Sequence, residues 1–174
     1  YWLQAFSTKV FGSEEIGSFR VPSLLSSLIS IFFVGFLTRL IFPLYQTIVV
    51  TLLFSSSITF MGEAHLAKTD ATLLCLTCIQ QYYLLKLILE KKTSFRVKYL
   101  YPVIIWFAFS FGVLVKGPLS FAILIPTVIL FCCFQKSIDL IRELKPIIGI
   151  IICALVILPW FCLLYTSDAA DDVH

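Results

Sequence analysis

Six apolar runs constrain this chain more than any other feature. A bilayer core about 30 Å thick takes about 20 mostly apolar residues of helix, and the runs cover residues 21–37, 44–61, 71–89, 100–115, 119–134 and 147–165. Within lipid a backbone must satisfy its own hydrogen bonds, so runs of this length are read as helices. Composition agrees: 60% of residues are hydrophobic and 13% charged, against about half and about a quarter in soluble domains. The expected fold is all-α, a polytopic transmembrane bundle of about six spans. An ordinary soluble core, a disordered segment and a nucleic-acid reader are excluded.

The breaks between the runs make chemical sense. Pro22, Pro43, Pro102, Pro118 and Pro146 stand near expected helix starts, where a missing N–H costs little. Pro126 and Pro159 lie inside runs and predict kinks or a helix end, which neighbouring helices can accommodate. Alternate connections carry Arg39; then Lys86, Lys91, Lys92, Arg96 and Lys98; then Lys136, Arg142 and Lys145. The opposite connections carry only Lys9, Arg20, Lys68 and Lys116. By the positive-inside rule the first set is cytoplasmic and the second faces outward. Residues 1–20, 62–70, 116–118 and 158–160 are therefore expected on the outer face.

The two ends read differently from the middle. Trp2, Leu3, Phe6 and Val10 recur at helical spacing among polar residues, predicting an amphipathic interfacial helix over residues 1–11, with 1–20 as an outer segment. The bundle then occupies 21–161. From Cys162 onward the chain, through Thr166-Ser167-Asp168-Ala169-Ala170-Asp171-Asp172, resembles the translation of a transposase sequencing adapter, and 162–174 is set apart as a scar. Read plainly, it is a short acidic tail. Without it the chain is more apolar and more basic.

Few residues could carry chemistry. Gly62-Glu63-Ala64-His65-Leu66-Ala67-Lys68-Thr69-Asp70 concentrates ionisable groups in an outer loop. Asp70 there is either a carboxylate for acid–base or electrostatic work, or, with Thr69, the cap of the helix that follows; the roles can coexist. In Val115-Lys116-Gly117-Pro118 a lysine closes one run and Gly-Pro opens the next. A lysine at mid-membrane costs roughly 2.5–3.5 kcal/mol, so Lys116 belongs at the interface. The turn is read as aiming an ammonium and free backbone N–H groups at a phosphate, or else as a snorkelling lysine. Arg20 precedes a helix, the unfavourable end for a cation; an anionic partner would explain it, though a surface arginine needs no explanation. Cys75 and Cys78 form a CxxC inside a span with no second pair, which supports neither zinc nor redox chemistry. Lone His65 is read as a loop hydrogen-bonder.

Taken in order, Tyr1-Trp2-Leu3-Gln4, Phe11-Gly12, Arg20-Val21-Pro22-Ser23, Ala67-Lys68-Thr69-Asp70, Lys116-Gly117-Pro118 and Leu158-Pro159-Trp160 resemble the motifs of one superfamily. This is the aminoarabinose (lipid A) transferase and protein O-mannosyltransferase superfamily of integral-membrane GT-C glycosyltransferases. The resemblance implies sugar transfer from a polyprenyl-phosphate-linked donor to a lipid or protein acceptor at the outer face of a bacterial inner membrane. It implies that Asp70 is the family's second acidic position, that Lys116 binds the donor phosphate, and that Lys68 and Arg20 assist. A divalent metal ion is left open. The family's principal catalytic Asp precedes the Tyr-Trp motif and would lie upstream of Tyr1, so the 174 residues are read as an inactive slice of a longer enzyme. The competing class is a secondary transporter, which would place ionisable groups near the bilayer midplane rather than at helix ends.

Overall fold

The computed structural model describes residues 5, 7–9, 16–66, 68–90, 95–135 and 138–171. Among these, the elements are α1 (Ile16–Arg39), α2 (Leu44–Ser55), α3 (Ile58–His65), α4 (Asp70–Leu89), a π-helical turn (Arg96–Leu100), α5 (Tyr101–Lys116), α6 (Leu119–Gln135), α7 (Asp139–Glu143) and α8 (Pro146–Asp171). Four helices are long and apolar enough to cross a membrane, α2 and α3 together form a bent fifth, and Leu119–Phe134 is a shorter apolar helix. The expected all-α bundle is what forms. Its chain divides into two compact units, Tyr1–Leu85 and Lys86–His174.

In the first unit the burial pattern is inverted relative to a soluble protein. Along α1 the buried residues are Ser18, Ser23, Ser27, Ser30 and Thr38, while Leu25, Leu28, Phe32 and Phe36 are each more than half exposed. In water this arrangement would leave a large apolar patch uncovered; in lipid it is the stable one, because hydroxyls find partners only inside the protein. Ser23 donates to the Lys68 carbonyl at 3.1 Å and Ser26 bonds Thr72 at 3.3 Å, tying α1 to the chain around the start of α4. Nearer the other end, Phe33 meets Tyr82 edge-on at 5.5 Å.

Helix α1 begins before the apolar run that signals it, taking in Arg20 and Pro22. A proline there removes the N–H that would reach the carbonyl four residues back. That carbonyl belongs to Ser18, and the Ser7 hydroxyl donates to it at 2.7 Å. Of the amphipathic segment 1–11, Ala5 and Ser7–Lys9 are described and helical; Trp2, Leu3, Phe6 and Val10 lie outside the described residues, as do Phe11 and Gly12.

The second run is not one straight span. It breaks at Ser56-Ser57 and bends by 58°. Three consecutive serines are the cause, since serine hydroxyls compete for nearby backbone groups. Ser55 donates to Leu52 O, Ser56 to Leu53 O, and Ser57, in an extended conformation, accepts from Phe60 N as the cap of α3. Ser57→Ala is expected to destabilise the unit by about 1 kcal/mol, the usual loss for an N-cap, read from thermal unfolding in detergent. An unchanged midpoint would mean that the bend is held by packing alone.

The second unit is built on α5 and α8. Ile105 is fully buried, and Phe109 stacks edge-on against Phe121 at 4.8 Å. Trp106 Nε1 donates to the Leu144 carbonyl at 2.7 Å, just before α8. Ser110 bonds Cys153 Sγ at 3.2 Å. Gly149 of α8 lies directly on the Trp106 ring. Beside the π-helical turn, Lys145 caps the Tyr99 face at 3.4 Å, and Tyr101 donates to Glu90, which also pairs with Lys86 at 3.2 Å. Pro126 and Pro159 are both inside helices. Leu158-Pro159-Trp160, expected in an outer connection, therefore lies within α8, whose backbone continues without a break to Asp171.

Candidate functional site

Asp70 is the first residue of α4, and the Thr69 carbonyl accepts from Leu73 N at 3.0 Å, which makes Thr69 the residue that enters the helix. A carboxylate in the first turn faces the partial positive charge of the free N–H groups. Asp70 is half-buried there. The expected nine-residue loop is much shorter, because α3 carries Gly62, Glu63, Ala64 and His65 and leaves four residues, 66–69, between helices. His65, at the end of α3, bonds the Met61 carbonyl one turn back at 2.8 Å. The Ser23 bond to the Lys68 carbonyl straps this short connection to α1.

A cavity of about 290 Å³ opens beside Asp70, entirely within the first unit. Its polar lining includes Ser27, Ser57, Glu63 and Asp70, and Phe54 and Phe60 form an apolar wall with ring centroids 4.7 Å apart. Glu63 Oε1 pairs with Lys68 Nζ at 3.6 Å. Glu63 Oε2 and Ser27 Oγ are buried without a hydrogen-bond partner. Glu63 is the residue that sequence reasoning passed over. Its signal was present: Thr59, Phe60 and Glu63 are spaced to share one helix face, so an acid there points where its aromatic neighbour points.

The structure thus places Asp70 and Glu63 on one cavity wall, with Lys68 paired to Glu63. Arg20 is exposed in the second turn of α1, not at its first residue, so the helix-end conflict anticipated for it is weaker. Lys116 closes α5 in the second unit and is exposed. The turn after it differs from expectation in one respect. Gly117 takes the left-handed φ of 63° that favours glycine, and its N–H is spent on the Val113 carbonyl at 2.7 Å. It caps the helix and is not available to an anion. Asp70 and Glu63 bring two carboxylates to the cavity, and among the described residues no three His, Cys, Asp or Glu side chains converge. Cys75 and Cys78 are buried free thiols within α4.

Apolar faces turned outward, hydroxyls turned inward and ionisable groups gathered at helix ends define a multi-pass integral membrane protein. The profile of the dolichyl-phosphate-mannose-protein mannosyltransferase family matches residues 1–162, and the chain belongs to that family. Among solved structures it is similar to ArnT from Cupriavidus metallidurans in the apo state, with a TM-score of 0.82 and 20% identity over 97% of this chain. The fold is therefore that of a GT-C membrane glycosyltransferase. The chain spans 31% of the length of that ArnT chain. A comparison with curated proteins found no match.

Proposed function

We propose that the chain is part of a longer membrane transferase that moves a sugar from a polyprenyl-phosphate-linked donor to a lipid A-like glycolipid or a protein, at the outer face of a bacterial inner membrane. The observation that carries this reading is the family match over residues 1–162. The placement of Asp70 at a helix N-terminus beside a cavity supports it. In the reaction an acceptor hydroxyl oxygen bonds to the anomeric carbon as the bond from that carbon to the phosphate oxygen breaks. The electron pair leaves with the lipid phosphate, and the hydroxyl proton passes to a carboxylate. Asp70 is proposed as the second acid, organising the acceptor hydroxyl. The principal acid is proposed to lie upstream of Tyr1, and residues 162–174 to be foreign to the native protein.

Lys116, Lys68 and Arg20 are proposed as phosphate partners, with Lys116 first. Lys68 shares its charge with Glu63 and so has less to give an anion. A cation held near the leaving phosphate stabilises charge that grows toward the transition state. Lys116→Ala in the full-length protein is expected to slow transfer from a polyprenyl-phosphate-linked sugar about 10- to 100-fold. That is less than a buried donor would give, because Lys116 is exposed and partly screened. Lys116→Arg should restore most of the rate. Equal turnover by wild type and Lys116→Ala would reduce Lys116 to a snorkelling side chain.

A further inference from the structure

We infer that Tyr99, Lys98 and Lys145 form a binding site for the headgroup of an anionic phospholipid, at the end of the α5 span opposite Lys116. The Lys145 ammonium lies 3.4 Å from the Tyr99 ring centroid, and the Lys98 ammonium stands 5.5 Å from the same ring. Two like charges around one ring repel each other, and among the described residues neither has a carboxylate partner. Glu90, the acid beside this turn, is already taken by Lys86 and Tyr101. What the pair lacks is an anion. The backbone holds it ready at a cost. Lys145, with a φ of 49°, is the one non-glycine residue among those described in the left-handed region, where a Cβ crowds the following carbonyl. Such a conformation persists only where its surroundings fix it, and it clusters at sites of use. Here the Leu144 carbonyl accepts from Trp106 Nε1 at 2.7 Å, Lys145 N donates to the Arg142 carbonyl at 3.2 Å, and the Lys145 carbonyl accepts from Gly149 N at 3.2 Å. Tyr99 itself belongs to a π-helical turn, a rare geometry that recurs at functional positions.

The kind of anion follows from depth and surroundings. Tyr99 lies near the start of the span Val97–Lys116, and Lys145 immediately precedes the span Pro146–Leu163. Gly149 on the Trp106 ring sets these two starts side by side. The cluster therefore stands at headgroup level, at the end that the positive-inside rule assigns to the cytoplasm. Apolar side chains flank it: Phe95 and Ile147 are each 74% exposed, and the Phe95 ring lies 5.2 Å from that of Tyr99. A soluble phosphate has no use for them. A phospholipid offers a phosphodiester to the two ammonium groups, which bind phosphate as point charges, and acyl chains to the apolar side chains. Basic residues next to a span are drawn to anionic lipid in this way.

Binding is read by native mass spectrometry of the full-length protein, titrated with phosphatidylglycerol, with phosphatidylcholine of the same acyl chains, and with glycerol 3-phosphate. Lys145→Gln and Lys98→Gln should each weaken phosphatidylglycerol about 5-fold, the loss expected for one cation beside anionic lipid, and leave phosphatidylcholine unchanged. Tyr99→Leu keeps every charge and should weaken phosphatidylglycerol about 2- to 5-fold by releasing the Lys145 ammonium from its ring. Lys145→Arg should bind as wild type does. Thermal midpoints measured without added lipid report that each variant folds. Arg39→Gln removes an exposed cation elsewhere in the chain and should change nothing. Equal losses in Arg39→Gln and Lys145→Gln would show that net charge alone attracts the lipid and overturn the site. Unchanged phosphatidylglycerol binding in Lys145→Gln and Tyr99→Leu, or wild type binding phosphatidylcholine equally well, would overturn it too. Displacement of phosphatidylglycerol by an equal concentration of glycerol 3-phosphate would make the cluster a site for soluble phosphates and end the lipid assignment.

Discussion

Asp70→Asn is expected to cut sugar transfer by the full-length protein about 10²-fold, at the lower end of what a positioned carboxylate contributes, while leaving the fold in place. The substitution is chosen for what it preserves. Asp70 is the first residue of α4, and asparagine keeps its shape and its hydrogen-bonding oxygen there. The charge is lost, and one acceptor oxygen becomes an NH2 donor. A carboxylate at a helix N-terminus contributes about 0.3–1 kcal/mol, so the thermal midpoint should move little. A purely structural Asp70 would show the small stability change and no change in turnover. A chemical Asp70 shows a large loss of turnover at nearly constant stability. Single-turnover transfer from a polyprenyl-phosphate-linked sugar, read beside thermal unfolding, decides between them, and wild-type rates in Asp70→Asn would end the assignment.

The second large effect concerns stability alone. At Gly149 an added Cβ would stand inside contact distance of the Cδ2, Cε2 and Cζ2 atoms of Trp106. These are ring-fusion and ring atoms, not the end of a flexible chain. The indole cannot swing aside cheaply, because Nε1 is anchored on the Leu144 carbonyl at 2.7 Å. Overpacking of this kind costs about 1–3 kcal/mol, and losing the indole bond adds about 1 kcal/mol. Gly149→Ala should therefore destabilise the second unit by about 2–4 kcal/mol, in spite of the better helix propensity of alanine. Gly149→Ala combined with Trp106→Leu should cost less than the sum of the two single changes, since both act at one contact. Additive losses would show that Gly149 and Trp106 do not meet.

The sequence showed where lipid-facing helices lie because twenty-residue apolar runs have few other outcomes. It could not show the break in the second run. Ser55-Ser56-Ser57 is as compatible with continuous helix as with a bend, and the bend depends on which carbonyls the hydroxyls reach. For the same reason the reach of α3 was hidden. Glu63 and His65 belong to a helix only once Ser57 has started one, and so the loop anticipated around them shrank to four residues. Lys116 was legible as an interfacial lysine, but the fate of the Gly117 N–H was not, since a helix cap is a matter of backbone angles.

Composition and run length by themselves determined the solvent of this protein, the helical class and the approximate positions of its spans. These follow from a property summed along the chain: each run must leave water, and each backbone group inside lipid must pair with its own helix. Tertiary structure alone decided which residues share a cavity. Ser27 on α1, Phe54 on α2, Glu63 on α3 and Asp70 on α4 stand on four different helices and meet only when those helices pack. The orphaned oxygen of Glu63 exists only in that packing. Whether a polar atom has a partner depends on neighbours that sequence distance does not predict.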